Sequence, residues 1–204
     1  MKKGIMLVIS GPAGSGKGTV CNHLTKRDDF AVAVSATTRA PRPGEIDGKS
    51  YHFISREDFL SKIEHGEMLE YTEYCGNFYG TLKEEADKIL ETGKNLILEI
   101  EIEGGLNIKS QYPDTVLIFL LPPTFSIQER RLRGRGTETE EKIIARLNRT
   151  KEELELINRY DYVVYNYDDK TLDTANRIVS IIEAEGSSIK RNPKVAKKYF
   201  EIKN

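Results

Sequence analysis

Short unbroken apolar runs alternate along this chain with segments whose apolar residues recur at helical spacing. The runs Ile5–Ser10, Ala31–Ser35, Asn95–Ile100, Thr115–Leu121 and Tyr162–Tyr165 read as strands. Several are rich in Val, Ile and Leu with no polar face, as strands covered on both sides are. Helical spacing predicts helices over Lys17–Lys26, Leu82–Thr92, Gly105–Gln111, Thr124–Gly134 and Thr171–Glu185. Strands alternating with helices imply right-handed crossovers and a parallel sheet flanked by helices, an α/β fold. Ligands of such sheets bind at the carboxyl ends of the strands.

Residues 36–81 break this rhythm. They hold turn signals at Arg42–Glu45 and Asp47-Gly48, a predicted strand Tyr51–Ile54 and a predicted helix from Arg56 to His65. Ser55 is placed to cap that helix, with Asp58 three residues on. The segment reads as a small inserted lobe. A second irregular region runs from Arg130 to about Thr150 and carries Arg130, Arg131, Arg133 and Arg135. Within and beyond it, Glu138–Glu155 alternates charge at helical spacing, which suits a solvated helix face. The stretch after Gly186 is basic and is expected to be a partly ordered extension. The chain therefore divides into a core (1–35, 82–130 and 151–185), a lobe (36–81), an arginine-rich segment (131–150) and a tail (186–204).

At 204 residues the chain makes one domain with room for a sizeable core. Lys plus Arg number 31 against 32 Asp plus Glu, so no basic face for nucleic acid is expected. The longest apolar run, Val116–Leu121, is too short to span a bilayer. Met1-Lys2-Lys3 precedes an apolar stretch, but no small-residue cleavage site follows, so a signal peptide is rejected. Cys21 and Cys75 lack metal-binding spacing, and a reducing, cytoplasmic setting is expected. His23, His52 and His65 are scattered and read as surface or packing residues.

The chemistry begins at Gly11-Pro12-Ala13-Gly14-Ser15-Gly16-Lys17-Gly18-Thr19. An apolar strand precedes this glycine-rich loop and a helix follows it. That context makes a cradle for a nucleoside triphosphate, with backbone N–H groups and the helix N-terminus facing anionic oxygens. Lys17 can reach the terminal phosphates. Gly18 stands where a Ser or Thr usually helps to hold Mg2+, and Thr19 follows one position later.

A second anion site is suggested by Ser35-Ala36-Thr37-Thr38-Arg39-Ala40-Pro41-Arg42-Pro43-Gly44-Glu45. Two arginines three apart are stiffened by Pro41 and Pro43, and a guanidinium fork matches phosphate oxygens in pairs. Tyr51 and Tyr79 can add phenolic hydroxyls. Taken alone, the segment suits a solvated loop equally well. Its residues, however, resemble a known family. The phosphate loop, the string from Ser35 to Glu45, Gly48–Phe53, Gly76–Gly80 and Arg133–Glu141 look like guanylate kinase, in matching order over roughly residues 4–185.

The resemblance implies a P-loop kinase that transfers phosphate from ATP to GMP in purine nucleotide metabolism. Residues 36–81 would be the GMP-binding lobe and 131–150 an arginine-rich lid. Ser35, Arg39, Arg42, Tyr51 and Tyr79 would hold the GMP phosphate. Glu70 would accept the two adjacent donors of guanine, and Thr81 would add a hydroxyl. Adenine offers an acceptor at that edge, so such a site rejects it. Asn166 would lie near the adenine of ATP. Lys17, Arg135 and Arg146, with help from Arg131, would face the transferred phosphoryl.

The chain departs from the family at Glu99-Ile100-Glu101-Ile102-Glu103, where shorter acids and an amide are usual. Period-two alternation puts Glu99, Glu101 and Glu103 on one face, with Glu99 on the guanine and ribose side and Glu101 near Mg2+. The implied substrates are Mg-ATP and GMP, with dGMP as a further acceptor. Neither nucleic acid nor a membrane is implied, and the assembly would be a monomer or weak homo-oligomer. Two other readings use the same residues: a phosphopeptide-binding module without catalysis, and a kinase of another phosphorylated acceptor. The intact lysine loop disfavours the first, and Glu70 with Thr81 disfavours the second.

Overall fold

The computed structural model describes residues 3–74, 76–134, 136 and 139–201. The elements run β1 (Met6–Ser10), α1 (Lys17–Leu24), β2 (Phe30–Val32), β3 (Ala36–Thr37), β4 (His52–Phe53), α2 (Arg56–Glu64), β5 (Met68–Tyr74) and β6 (Asn77–Leu82). There follow α3 (Lys83–Glu91), β7 (Asn95–Glu99), α4 (Ile102–Gln111), β8 (Val116–Leu121), α5 (Phe125–Gly134) and α6 (Glu140–Glu155). The last are β9 (Tyr162–Tyr165), α7 (Thr171–Ser187) and α8 (Val195–Glu201).

A five-stranded sheet in the order β2-β7-β1-β8-β9 forms the centre, and every pairing in it is parallel. β1 lies in the middle, with Leu7, Val8 and Ile9 fully buried. One apolar cluster packs the sheet against α1 and α7 through Val20, Leu24, Ile178 and Ile182. A second covers the other face through Ala86, Leu90, Ile102 and Leu106 of α3 and α4. Burying each Leu or Ile side chain of these layers contributes about 2 kcal/mol, which explains why the runs carry no polar face. At Gly105 α4 comes close to the sheet: a Cβ there would lie 2.9 Å from Val8 Cγ1 and 2.8 Å from the Tyr160 hydroxyl.

A second, four-stranded sheet in the order β4-β3-β6-β5 stands beside the first. β3 runs parallel to β4, while β6 is antiparallel to β3 and to β5. Its small core is Phe59, Met68 and Phe78, with Phe59 stacked on Phe78 at 5.2 Å between centroids. Ser55 caps α2 as expected: its hydroxyl accepts from the Asp58 N–H at 3.0 Å.

Several expectations are corrected. β7 ends at Glu99, Glu101 is the N-cap of α4, and Glu103 lies in that helix's first turn. The three acids therefore do not share a strand face, because the chain turns into α4 once Ile102 buries its side chain. α4 accordingly begins at Ile102, three residues before the predicted start. The region from Arg130 to Thr150 is largely helical, in the end of α5 and most of α6. Ile143, Leu147 and Thr150 make a narrow buried stripe that the surrounding charges conceal. The tail, expected to be partly ordered, begins in contact with the body: Arg191 pairs with Glu185 at 3.0 Å and also donates to the Asp114 carbonyl.

Candidate active site

The central strand β1 delivers the chain into the phosphate loop at the carboxyl edge of the sheet. Gly11 has φ 151°, and a Cβ there would lie 2.1 Å from the Leu120 carbonyl oxygen. Gly16 has φ 90°, and a Cβ there would lie 2.4 Å from Asn166 Nδ2. Both positions exclude a side chain through backbone conformation and space. The Ser15 N–H closes the turn onto the Pro12 carbonyl at 3.1 Å. No side chain caps α1, so its first N–H groups point into the loop as anion donors.

Lys17 is the first residue of α1 and folds its ammonium back onto the Gly11 and Pro12 carbonyls. Burial lowers its pKa from the ordinary lysine value, and the charges of Glu101, Glu99 and Glu153 act in the opposite direction. The loop is thus a cationic pocket whose lysine has carbonyls as substitute partners.

Neighbouring elements hold the loop in place. Asn166, directly after β9, donates from Nδ2 to the Ser15 carbonyl at 2.8 Å and accepts from the Thr174 hydroxyl at 3.1 Å. Arg131 on α5 donates to the Gly14 carbonyl at 3.2 Å, to the Asn166 carbonyl at 2.7 Å and to Asp168 at 2.8 and 2.9 Å. Arg130 pairs with the same carboxylate, and these cations hold Asp168 below the usual carboxylate range. A cleft of about 350 Å3 opens beside the loop, lined by Gly14, Gly16, Thr19, Arg131, Asn166 and Asp168 among others.

The second sheet carries the other candidate residues. Arg39 donates in a pair of bonds to Glu45 at 2.8 and 3.0 Å, and to the Ala40 carbonyl at 2.7 Å. Its guanidinium lies 5.6 Å from the Tyr51 ring centre and 5.8 Å from that of Phe53. Tyr51 and Tyr79 meet edge to face at 6.2 Å. The Arg42 N–H donates to Glu45 at 2.7 Å, while the Arg42 side chain is exposed. Ser35 is half-buried, its carbonyl held by the His52 N–H. The Arg39 hydrogen bond, followed by the Arg42 N–H, lowers the Glu45 pKa; the same pairing with Glu45 raises that of Arg39.

Glu70 and Thr81 face each other across β5 and β6, and the Thr81 hydroxyl donates to Glu70 Oε1 at 2.7 Å. Burial pushes the Glu70 carboxyl above its ordinary pKa, against the Thr81 hydrogen bonds that favour the charged form. The Thr81 hydroxyl thereby orients the carboxylate.

Glu99 ends β7 and reaches toward α1. A Cβ at Gly18 would lie 3.7 Å from Glu99 Oε1, an ordinary contact, so space does not require the glycine there. Burial, followed by the charge and hydrogen bond of Glu99, raises the Cys21 thiol pKa well above its ordinary value. Glu101 pairs with Arg149 of α6 at 3.3 Å. Arg146 lies on the exposed side of α6. Arg135, predicted to face the transferred phosphoryl, and Cys75 lie outside the described residues.

Sequence reasoning missed Glu45 as the partner of Arg39, although it closes the string that carries the arginines. It also missed Thr174, which bonds nearby Asn166, and Gln128, Thr150 and Asp168, whose pairings Gln128–Ala13, Gln128–Thr150 and Asp168–Arg131 span distant parts of the chain and leave no local signal.

A parallel sheet with a glycine-lysine loop at the end of its central strand defines the class: a P-loop nucleotide-binding protein. Comparison with known proteins narrows it. The family model described as guanylate kinase matches residues 3–185. A guanylate kinase of Halalkalibacterium halodurans is 47% identical over 202 residues, covering 98% of this chain and 97% of that one. One from Clostridium tetani is 46% identical over 191 residues, covering 94% and 91%. The crystal structure of guanylate kinase from Anaplasma phagocytophilum superposes with a TM-score of 0.70 at 31% identity, covering 100% of this chain and 98% of that one. The chain belongs to the guanylate kinase family, and its activity is the ATP-dependent phosphorylation of GMP. No described helix is long and apolar enough to cross a membrane.

Proposed function

We propose that the two sheets divide the substrates between them, ATP on the phosphate loop and GMP on the four-stranded sheet. Lys17 and the amides of residues 11–19 hold the triphosphate, with the adenine in the cleft beside Asn166. Ser35, Arg39, Arg42, Tyr51 and Tyr79 hold the GMP phosphate. Glu70, oriented by Thr81, accepts guanine N1–H and the 2-amino group, with Glu99 on the ribose side. The observation that carries this reading is the Thr81–Glu70 hydrogen bond, which aims a partly buried carboxylate from the same small sheet that presents Arg39 and the two tyrosines.

An oxygen of the GMP phosphate attacks the γ-phosphorus of ATP, the bond from that phosphorus to the β-phosphate bridging oxygen breaks, and ADP leaves. The attacking oxygen is already anionic, so no general base is needed. The protein supplies alignment and cations for the moving charge: Lys17, Arg146, Arg135 and Arg131. Mg2+ bound with the ATP phosphates would supply further positive charge for the transfer. The carboxylates around Lys17 fit a metal carried by phosphates and touched by one or two protein groups, with Glu101 the candidate. Among the described residues no set of three His, Cys, Asp or Glu side chains forms a metal cage. Residues 36–81 and 131–150 close toward the phosphate loop to exclude water, which would otherwise hydrolyse ATP. Cytoplasmic location, a monomer or weak homo-oligomer, and use of dGMP complete the proposal.

Calorimetric titration tests the division. Arg39→Lys keeps the charge but loses the fork, and is expected to weaken GMP binding about tenfold with ATP binding unchanged. Equal weakening of both ligands would place Arg39 in the framework, not in the GMP site.

A further inference from the structure

We propose that Gln128 is a positioning residue for phosphoryl transfer: through Thr150 it fixes the turn of α6 that carries Arg146 to the phosphate loop. The proposal rests on the roles given above to Arg146 and the loop.

Gln128 sits on the inward face of α5 and is 2% exposed, where the helix pattern calls for an apolar residue. Its side-chain amide donates both protons. One goes to the Ala13 carbonyl of the phosphate loop at 2.9 Å, the other to the Thr150 hydroxyl at 2.8 Å. Thr150, also 2% exposed, passes its own proton to the Arg146 carbonyl at 3.0 Å. Three hydrogen bonds therefore run from loop to α5 to α6 and end on the backbone of Arg146. Leu132, Ile143 and Leu147 pack beside this relay with Ala13 against them, so water is kept from it.

An apolar side chain at position 128 would fill the space without fixing a direction. A buried amide is tolerated only where its partners are in register, so it selects one arrangement of the three elements. That matters here because the cations must meet a phosphoryl group in transit. A misplacement of about 1 Å can cost on the order of a hundredfold in rate.

The test compares Gln128→Leu, Thr150→Val, the double variant and Thr150→Ser in the full chain, with Arg146→Ala as reference. The readouts are kcat, KM for each substrate and melting temperature. Gln128→Leu and Thr150→Val are each expected to lower kcat about tenfold with KM for GMP within about twofold of the parent. The double variant should be no slower than the worse single, because both cut one relay. Thr150→Ser, which keeps the hydroxyl, should recover most of the parent rate. If Gln128→Leu fails to fold, Thr150→Val and Thr150→Ser carry the comparison alone.

Unchanged kcat with a lowered melting temperature, or losses that multiply in the double variant, would overturn the proposal by making the pair a packing device. If Arg146→Ala is slow while both relay variants are normal, the relay fails and the role of Arg146 stands. If Arg146→Ala turns over normally, the role of Arg146 itself falls and takes the relay with it.

Discussion

Lys17→Met is expected to lower kcat by about a thousandfold while leaving the melting temperature unchanged or raised. The ammonium lies in a buried loop where its partners are the Gly11 and Pro12 carbonyls, and burial lowers its pKa. A lysine with a depressed folded pKa costs stability at neutral pH, where it is charged in both states, and that cost fades only as alkaline pH removes the charge. Replacing it with an apolar side chain of similar length removes the cost. It also removes the cation that follows the terminal phosphates through transfer. Loss of rate without loss of stability is the mark of a residue kept for chemistry. A coupled assay of ADP release and a thermal melt check both halves. A kcat within tenfold of the parent would show that the loop amides alone carry the phosphate charge.

Glu70→Gln is expected to lower kcat/KM for GMP by about a hundredfold, with ATP affinity unchanged. The carboxylate accepts two guanine donors. A glutamine keeps the shape but either turns a donor toward guanine or leaves one donor unmatched. IMP, which lacks the 2-amino group, provides the control: the parent should prefer GMP to IMP strongly and the variant much less. Acid pH acts on the same group. Burial raises the Glu70 pKa, so the carboxylate is lost on acidification earlier than an ordinary one. KM for GMP should therefore rise as the pH falls through that raised value, and the profile of Glu70→Gln should lack this limb. An identical acid limb in the variant would assign the titration to another group.

The central sheet was legible because its strands are covered on both faces. Leu7–Ile9 and Val116–Leu120 are buried, and unbroken apolar runs are how such strands read in sequence. The phosphate loop was legible because its glycines answer local demands of conformation and space at Gly11 and Gly16. The second sheet was only half visible. β5 buries Met68 and Leu69 and then exposes Tyr71 to Tyr74, so neither alternation nor a continuous run marks it. The acids from Glu99 to Glu103 misled because period two was carried past the end of a strand, into a helix whose first buried residue is Ile102. Arg39 and Arg42 gained meaning only from the family resemblance. Nothing local shows that Glu45 holds the first by its side chain and the second by its backbone. Gln128 reads as one more polar residue in a charged helix, since its partners Ala13 and Thr150 are distant in sequence.

The most direct measurement of the central claim is ADP release with Mg-ATP and, in turn, GMP, AMP, UMP and CMP. The Thr81–Glu70 pair, together with the lysine loop, predicts rapid turnover with GMP and rates with the other three lower by a factor of about a thousand or more. Turnover with AMP comparable to that with GMP, or no turnover with GMP while ATP still binds, would contradict it.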